Sequence, residues 1–261
     1  MGYSAVLGWL GGCLGLLASG SDLGPPPNRP AEGAPVSFPA YPGGLPAFGL
    51  PRVPLEELQP GVRERVRPVV EQPTLAASGP SETFTCQPAM YRWLLDNTEQ
   101  AIRLWRQVGA RVNDIEDRGN GRCGWRDGHG SDVYWDVVLR TDGSRLWYAE
   151  GRVKLGKLLP ASAFRAVVLL TCEEGQDGKG RPTVRHRTHL WVRTDSRAVA
   201  LAARILGGSA PRLAEQYLAQ TEMFFGGLAW YLDQDPDRAR RLFAQIGQAP
   251  PAGAVRAAGA P

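Results

Sequence analysis

Cysteine is scarce. Four in 261 residues are too few for a disulfide scaffold. Cys86, Cys123 and Cys172 contain no CxxC pair, so the usual spacing of a structural zinc site is missing. If Cys13 leaves with a leader, the odd count that remains implies at least one free or intermolecular thiol. A strong charge of one sign is also lacking. Thirty Lys and Arg stand against 26 Asp and Glu, for a net charge of +4. The basic residues are scattered rather than gathered in a stripe, so no nucleic-acid partner is expected. The chain has no nucleophile elbow, no phosphate loop and no HExxH, and nothing in it calls for a cofactor or a metal. There is no internal repeat. What is present is ordinary globular composition, 43% hydrophobic and 21% charged. That composition excludes wholesale disorder, a collagen-like fibre and a multi-span membrane protein.

Residues Ser4 to Ala18 are almost wholly apolar or Gly. The run is shorter than the ~20 residues of a membrane span but suits the h-region of a signal peptide. Ala18-Ser19-Gly20 offers small residues for cleavage before Ser21, although no Lys or Arg precedes the run. Two other readings stay open: a lipobox at Leu10-Gly11-Gly12-Cys13, with Cys13 lipidated, and a short uncleaved anchor. Residues 1–20 are therefore expected to export the chain to the periplasm or cell envelope, or to associate it with a membrane. A mis-assigned start on a cytoplasmic protein is the alternative.

Eleven of the 22 Pro lie between Ser21 and Pro60. Proline removes backbone donors and glycine is costly to order, so residues 21–53 read as a disordered linker. Leu55, Leu58, Val62, Val66 and Val69 recur at helical spacing. They predict a short amphipathic helix within 54–72, interrupted by Pro60 and ended by Pro68. Residues 247–261 are Ala/Gly/Pro-rich and read as a disordered tail. The folded unit is then 74–246, a size that suits one hydrophobic core, and it holds seven of the eight Trp.

Within it, Thr83 to Cys86 reads as the end of a strand. Pro88 suits the first turn of a helix carrying Tyr91, Leu94 and Leu95. Thr98 can cap a second helix with Ile102, Trp105 and Val108 on one side. Short strands follow, Val112 to Glu116 and Arg122 to Asp127. Asp132–Arg140 and Arg145–Lys154 flank Thr141-Asp142-Gly143-Ser144, a hairpin signal. Strict pairing outward from this turn sets Arg140 opposite Arg145, Leu139 opposite Leu146, Val137 opposite Tyr148, Trp135 opposite Glu150 and Val133 opposite Arg152. One face then carries Val133, Trp135, Val137, Leu139, Leu146 and Tyr148. Ala163 to Glu173 reads as a central strand. Thr183 to Thr194 alternates, with Val184, His186, Thr188, Leu190 and Val192 facing inward. A helix is expected over Arg197 to Leu206. A longer one runs from Ser209 to about Leu232 with Leu213, Tyr217, Phe224, Leu228 and Tyr231 as its stripe, and a last short helix begins at Asp235-Pro236.

A strand, two short helices, a run of antiparallel strands and a long terminal helix make an α+β helix-grip fold. In it a curved antiparallel sheet wraps a long C-terminal helix, here behind a disordered Pro-rich N-terminal leader. This order, with Phe84-x-x-x-Pro88-x-x-x-Tyr91-Arg92-Trp93-Leu94-Leu95-Asp96 at its start and Phe224-Phe225-Gly226-Gly227-Leu228-Ala229-Trp230-Tyr231-Leu232 near its end, resembles the START-like, polyketide cyclase-like (SRPBCC) superfamily. The chain also resembles uncharacterised bacterial proteins in which this domain follows a Pro-rich leader. The Gly207-Gly208 break and the helix after Pro236 depart from the simplest plan.

The resemblance implies a space between sheet and helix that often holds a ligand. By the hairpin register, Glu150 and Arg152 share a face with Trp135 and Tyr148, and His186 points the same way. Together with Phe224 and Leu228 of the long helix they form the candidate site, apolar with a few polar groups. Its partner would be a hydrophobic or amphipathic small molecule. Three readings follow. The first is a non-catalytic exported binding domain. The second is a cyclase- or hydrolase-type enzyme with His186 as acid or base and Glu150 setting its pKa. The third is an envelope interaction domain with a filled core, in which Glu150 pairs with Arg152 and His186 is a satisfied core residue.

Overall fold

The structure is a computed structural model. It describes residues 50–110, 115–119, 122–126, 130–154, 161–195 and 209–255, and within the last range not the side chains of 209–213, 216, 217 and 220. The leader with Cys13, most of the linker, the helix expected over Arg197–Leu206 and the side chains of Leu213 and Tyr217 lie outside the described residues.

Helix α1 spans Pro60–Glu71. Pro60 occupies its first turn, where the missing N–H costs nothing, so this proline starts the helix rather than interrupting it. The helix also continues past Pro68, and the Pro68 carbonyl accepts from Gln72 N–H. An internal proline costs about 3 kcal/mol. Complete burial of Val66 and Val69 against the sheet offsets it, at about 1.5–3 kcal/mol for each such side chain.

Strands β1 (Leu75–Ser78) and β2 (Glu82–Thr85) both pair with β8 (Pro182–Thr194). Helices α2 (Pro88–Asp96) and α3 (Thr98–Gln107) follow. Then come β3 (Glu116–Asp117), β4 (Arg122–Arg126), β5 (Asp132–Arg140), β6 (Ser144–Val153) and β7 (Ser162–Gln176). The chain ends with α4 (Ser209–Gln234) and α5 (Pro236–Gln245). The sheet is antiparallel throughout, in the order β1-β8-β7-β6-β5-β4-β3, with β2 continuing the edge that β1 begins. It curls around α4, and the fold is α+β with the helix-grip arrangement. Asp235 caps α5 by accepting from Arg238 N–H at 2.9 Å.

Two apolar clusters lie on opposite faces of the sheet. The inner one joins α2, α3, α4 and α5 to Trp125, Val133, Trp135, Trp147, Ala149, Val168 and Val192. The outer one joins α1 and the turn before it to Leu146, Tyr148, Val167, Leu169 and Trp191. Trp191, on the outward parity of β8, is roofed by α1 and only 3% exposed. Ala254, in the segment read as tail, is buried in the inner cluster.

The hairpin register departs from strict alternation. Arg140 pairs with Arg145 and Leu139 with Leu146, as expected. A β-bulge at Val138 then shifts the pairing by one residue. Val137 meets Trp147, Trp135 meets Ala149, Tyr134 meets Glu150 and Asp132 meets Arg152. Trp147, Ala149 and Val153 therefore face inward, while Leu146 and Tyr148 face outward.

Candidate functional site

The bulge divides the expected site between the two faces. Trp135, His186, Phe224 and Leu228 are buried on the inner side, at 7%, 1%, 4% and 0% exposure. Tyr148 belongs to the outer cluster, and Glu150 and Arg152, two and four residues further along the strand, share its outward face. Glu150 does not pair with Arg152. It accepts from Tyr134 Oη at 2.5 Å and Tyr148 Oη at 2.9 Å, while Arg152 donates to the Ala161 carbonyl at 3.2 Å. Both phenols are pushed up by burial and by the hydrogen bond to Glu150, Tyr134 to about 12. Glu150 and His186 stand on opposite sides of the sheet, which excludes the acid–base pair expected from the sequence.

Around His186 the interior holds a different group of residues. His186 Nδ1 shares a 2.5 Å hydrogen bond with Tyr91 Oη, and Phe84, Tyr91 and His186 stack edge to face with centroids 5.0–5.5 Å apart. Burial raises Tyr91 well above the usual phenol range, so this phenol is neutral. His186 Nε2 lies 3.8 Å from Glu82 Oε2, beyond hydrogen-bond reach. Gly226 lets α4 approach this cluster. A Cβ there would come within 2.9 Å of Phe84 Cε1 and 3.2 Å of His186 Cε1.

One turn back on α4 is Glu222, fully buried and absent from the expected site. Its position follows from a break in the sheet edge. β1 ends opposite His189 and β2 begins opposite His186, so Gly79-Pro80-Ser81 bulges past β8. Thr188 N–H is thereby exposed to α4, and Glu222 Oε1 accepts it at 2.6 Å. Gly79 makes room, since a Cβ there would meet that same oxygen at 2.6 Å. Burial raises the Glu222 carboxyl to about 8; the Thr188 bonds oppose the rise and Glu82 adds to it. The Thr188 hydroxyl is near enough to oppose the rise without meeting hydrogen-bond geometry. Three polar atoms of this region are buried without a partner: His186 Nε2, Thr188 Oγ1 and Glu222 Oε2.

A sequence signal for Glu222 existed. It falls on one helical stripe with Leu218, Phe225 and Ala229, all buried, as the only charge between Gln216 and Trp230. Tyr91 was legible as core, but its bond to His186 joins residues 95 apart and leaves no local pattern. Among the described residues no cluster of three His, Cys, Asp or Glu is placed to hold a metal ion.

No family model matches the chain, and comparison with curated proteins returns no match. Solved structures similar to it include a conserved protein from Geobacillus kaustophilus, at 13% identity and TM-score 0.38 over 59% of this chain and 95% of that one. A hypothetical protein from Helicobacter pylori is similar at 14% identity and TM-score 0.38, over 72% of this chain and 99% of that one. The di-domain ARO/CYC protein BexL of the BE-7585A biosynthetic pathway is similar at 14% identity and TM-score 0.36 over 65% of this chain. The match spans about half of BexL, 53% of its length.

Proposed function

We propose that the chain is a non-catalytic binding domain of the START-like kind, holding an apolar or amphipathic small molecule between the inner sheet face and α4. One observation carries the reading. His186 Nε2, Thr188 Oγ1 and Glu222 Oε2 are buried without partners beside an otherwise apolar core. Buried polar atoms are costly when unpaired, about 1–3 kcal/mol each, so such a group calls for an occupant that completes it. Residues 1–20 would export the domain or tether it to the cell envelope, with the Pro-rich segment as spacer.

The test is to purify the full chain under native conditions, record native mass spectra before and after organic extraction, and titrate the stripped protein with decane and methyl decanoate. Interior tryptophans such as Trp135 and Trp147 report the titration by fluorescence. A stoichiometric extractable adduct, or saturable uptake of either probe, supports the reading. An adduct-free protein that takes up neither overturns it. Mass analysis of the mature N-terminus reads the leader: a start at Ser21, a lipidated Cys13 or an intact Met1.

A further inference from the structure

Resting on that reading, we infer that the polar end of the ligand is an uncharged hydrogen-bond acceptor, an ester or amide carbonyl, that receives the acid proton of Glu222 Oε2 beside His186 Nε2. One oxygen of Glu222 is already committed. Oε1 accepts Thr188 N–H at 2.6 Å, which makes it the carbonyl oxygen of the acid and leaves the hydroxyl on Oε2. A buried carboxyl without a cation is held as the neutral acid. Among the described residues no ion pair reaches it. The charged and titratable groups acting on it are Glu82 on β2, Tyr91 on α2 and Arg187 on β8. Arg187 is the weakest of the influences on Glu222, and its guanidinium is committed to the Gly79 carbonyl at 3.0 Å.

Oε2–H is therefore a donor in need of an acceptor. The His186 ring, bonded through Nδ1 to Tyr91 Oη at 2.5 Å, leaves its Nε2 unpartnered on the same inner face. An open acid donor selects an acceptor oxygen. The same surroundings reject a charged one. The Glu82 carboxylate lies 3.8 Å from His186 Nε2, and a ligand carboxylate would meet it and Glu222 without a counter-ion.

The experiment compares decane, methyl decanoate and decanoate, three probes with one apolar body and different ends. Binding is followed by tryptophan fluorescence at about pH 7 and about pH 9.5. The expected result is that the ester binds at least about tenfold more tightly than decane or decanoate at neutral pH. It then weakens about thirtyfold at the higher pH as a carboxyl of pKa about 8 ionises, whereas decane does not weaken. Glu222→Gln, whose amide donates at every pH, removes that pH dependence. The wild-type profile alone decides the matter if the variant does not fold. Equal binding of all three probes, tighter binding of decanoate, or a pH-independent ester affinity overturns the headgroup assignment and leaves the binding reading standing. Failure of all three to bind overturns the binding reading itself.

Discussion

Under α1, on the outer face of the sheet, the polar groups find partners. Glu150 takes two phenol donors. Arg193 donates to the Pro68 carbonyl and to Gln72 Oε1, and Arg65 lies 4.8 Å over the Tyr148 ring. His189 shares a 2.7 Å bond with Ser78. On the inner face, under α4, three polar atoms around His186 and Glu222 end without partners. Both faces are buried by helices, so burial alone does not distinguish them. An outer layer that satisfies its own polar groups is a structural roof, whereas an inner layer that leaves donors open is where an occupant can be recognised.

The largest way to break this contrast is at Glu222. Folding raises its carboxyl from an ordinary 4.5 to about 8, so the folded state holds that proton more tightly. This contribution is complete below about pH 4.5, declines as pH rises and is gone above about pH 8, a change of about 5 kcal/mol. Urea unfolding of the wild type across that range should show the decline, and Glu222→Gln should flatten it. A slope unchanged by the substitution would mean that the inner carboxyl is not the buried acid described here.

Val66→Asp attacks the other side. Val66 is fully buried beneath the sheet's outer face, and a carboxylate placed there has no partner. Loss of about 4 kcal/mol is expected, with α1 detached and Tyr148, Leu169 and Trp191 uncovered. Thermal unfolding and light scattering read both effects. An unchanged melting temperature would show that α1 is not a fixed roof.

Much of this layering was legible in the sequence, and the part that was not has a definite cause. The inward set on β8 was readable because arginines mark its opposite parity. Pairing the β5–β6 hairpin outward from its turn misleads, because Leu146-Trp147-Tyr148 is apolar on both parities there. A strand roofed on both faces loses its alternation. Reading from the far end would have corrected it, since Ala149 and Val153 alternate with Glu150 and Arg152. The unassigned apolar face of α1 was a second sign that the outer surface of the sheet is covered. The bulge at Val138 and the gap between β1 and β2 are tertiary features, and Glu222 acquires its role only through that gap.

His189 sharpens the comparison at acid pH. Burial, with Arg187 adding, lowers its imidazole from 6.5 to about 4. A histidine held neutral by the fold stabilises it above about pH 6.5 and loses that contribution as pH falls through about 4, by about 3 kcal/mol. The outer face should thus weaken with acid while the inner face weakens with alkali. His189→Asn should blunt the acid limb and leave the alkaline one, as measured by urea midpoints at each pH; loss of the alkaline limb instead would couple the two faces.

The smallest expected effect concerns the tyrosine pair on Glu150. Tyr134 and Tyr148 donate to different oxygens of one carboxylate, so removing either leaves the other in place. Tyr134 is half-exposed and Tyr148 is buried under α1. Tyr134→Phe should therefore cost about 1 kcal/mol, and Tyr148→Phe more, because water cannot replace the lost donor beneath the helix. In the double variant the cost should exceed the sum, since the carboxylate is then stranded beside the sheet with neither donor. Strict additivity in urea unfolding would mean that solvent already satisfies Glu150. The outer face would then share the incompleteness that sets the inner one apart.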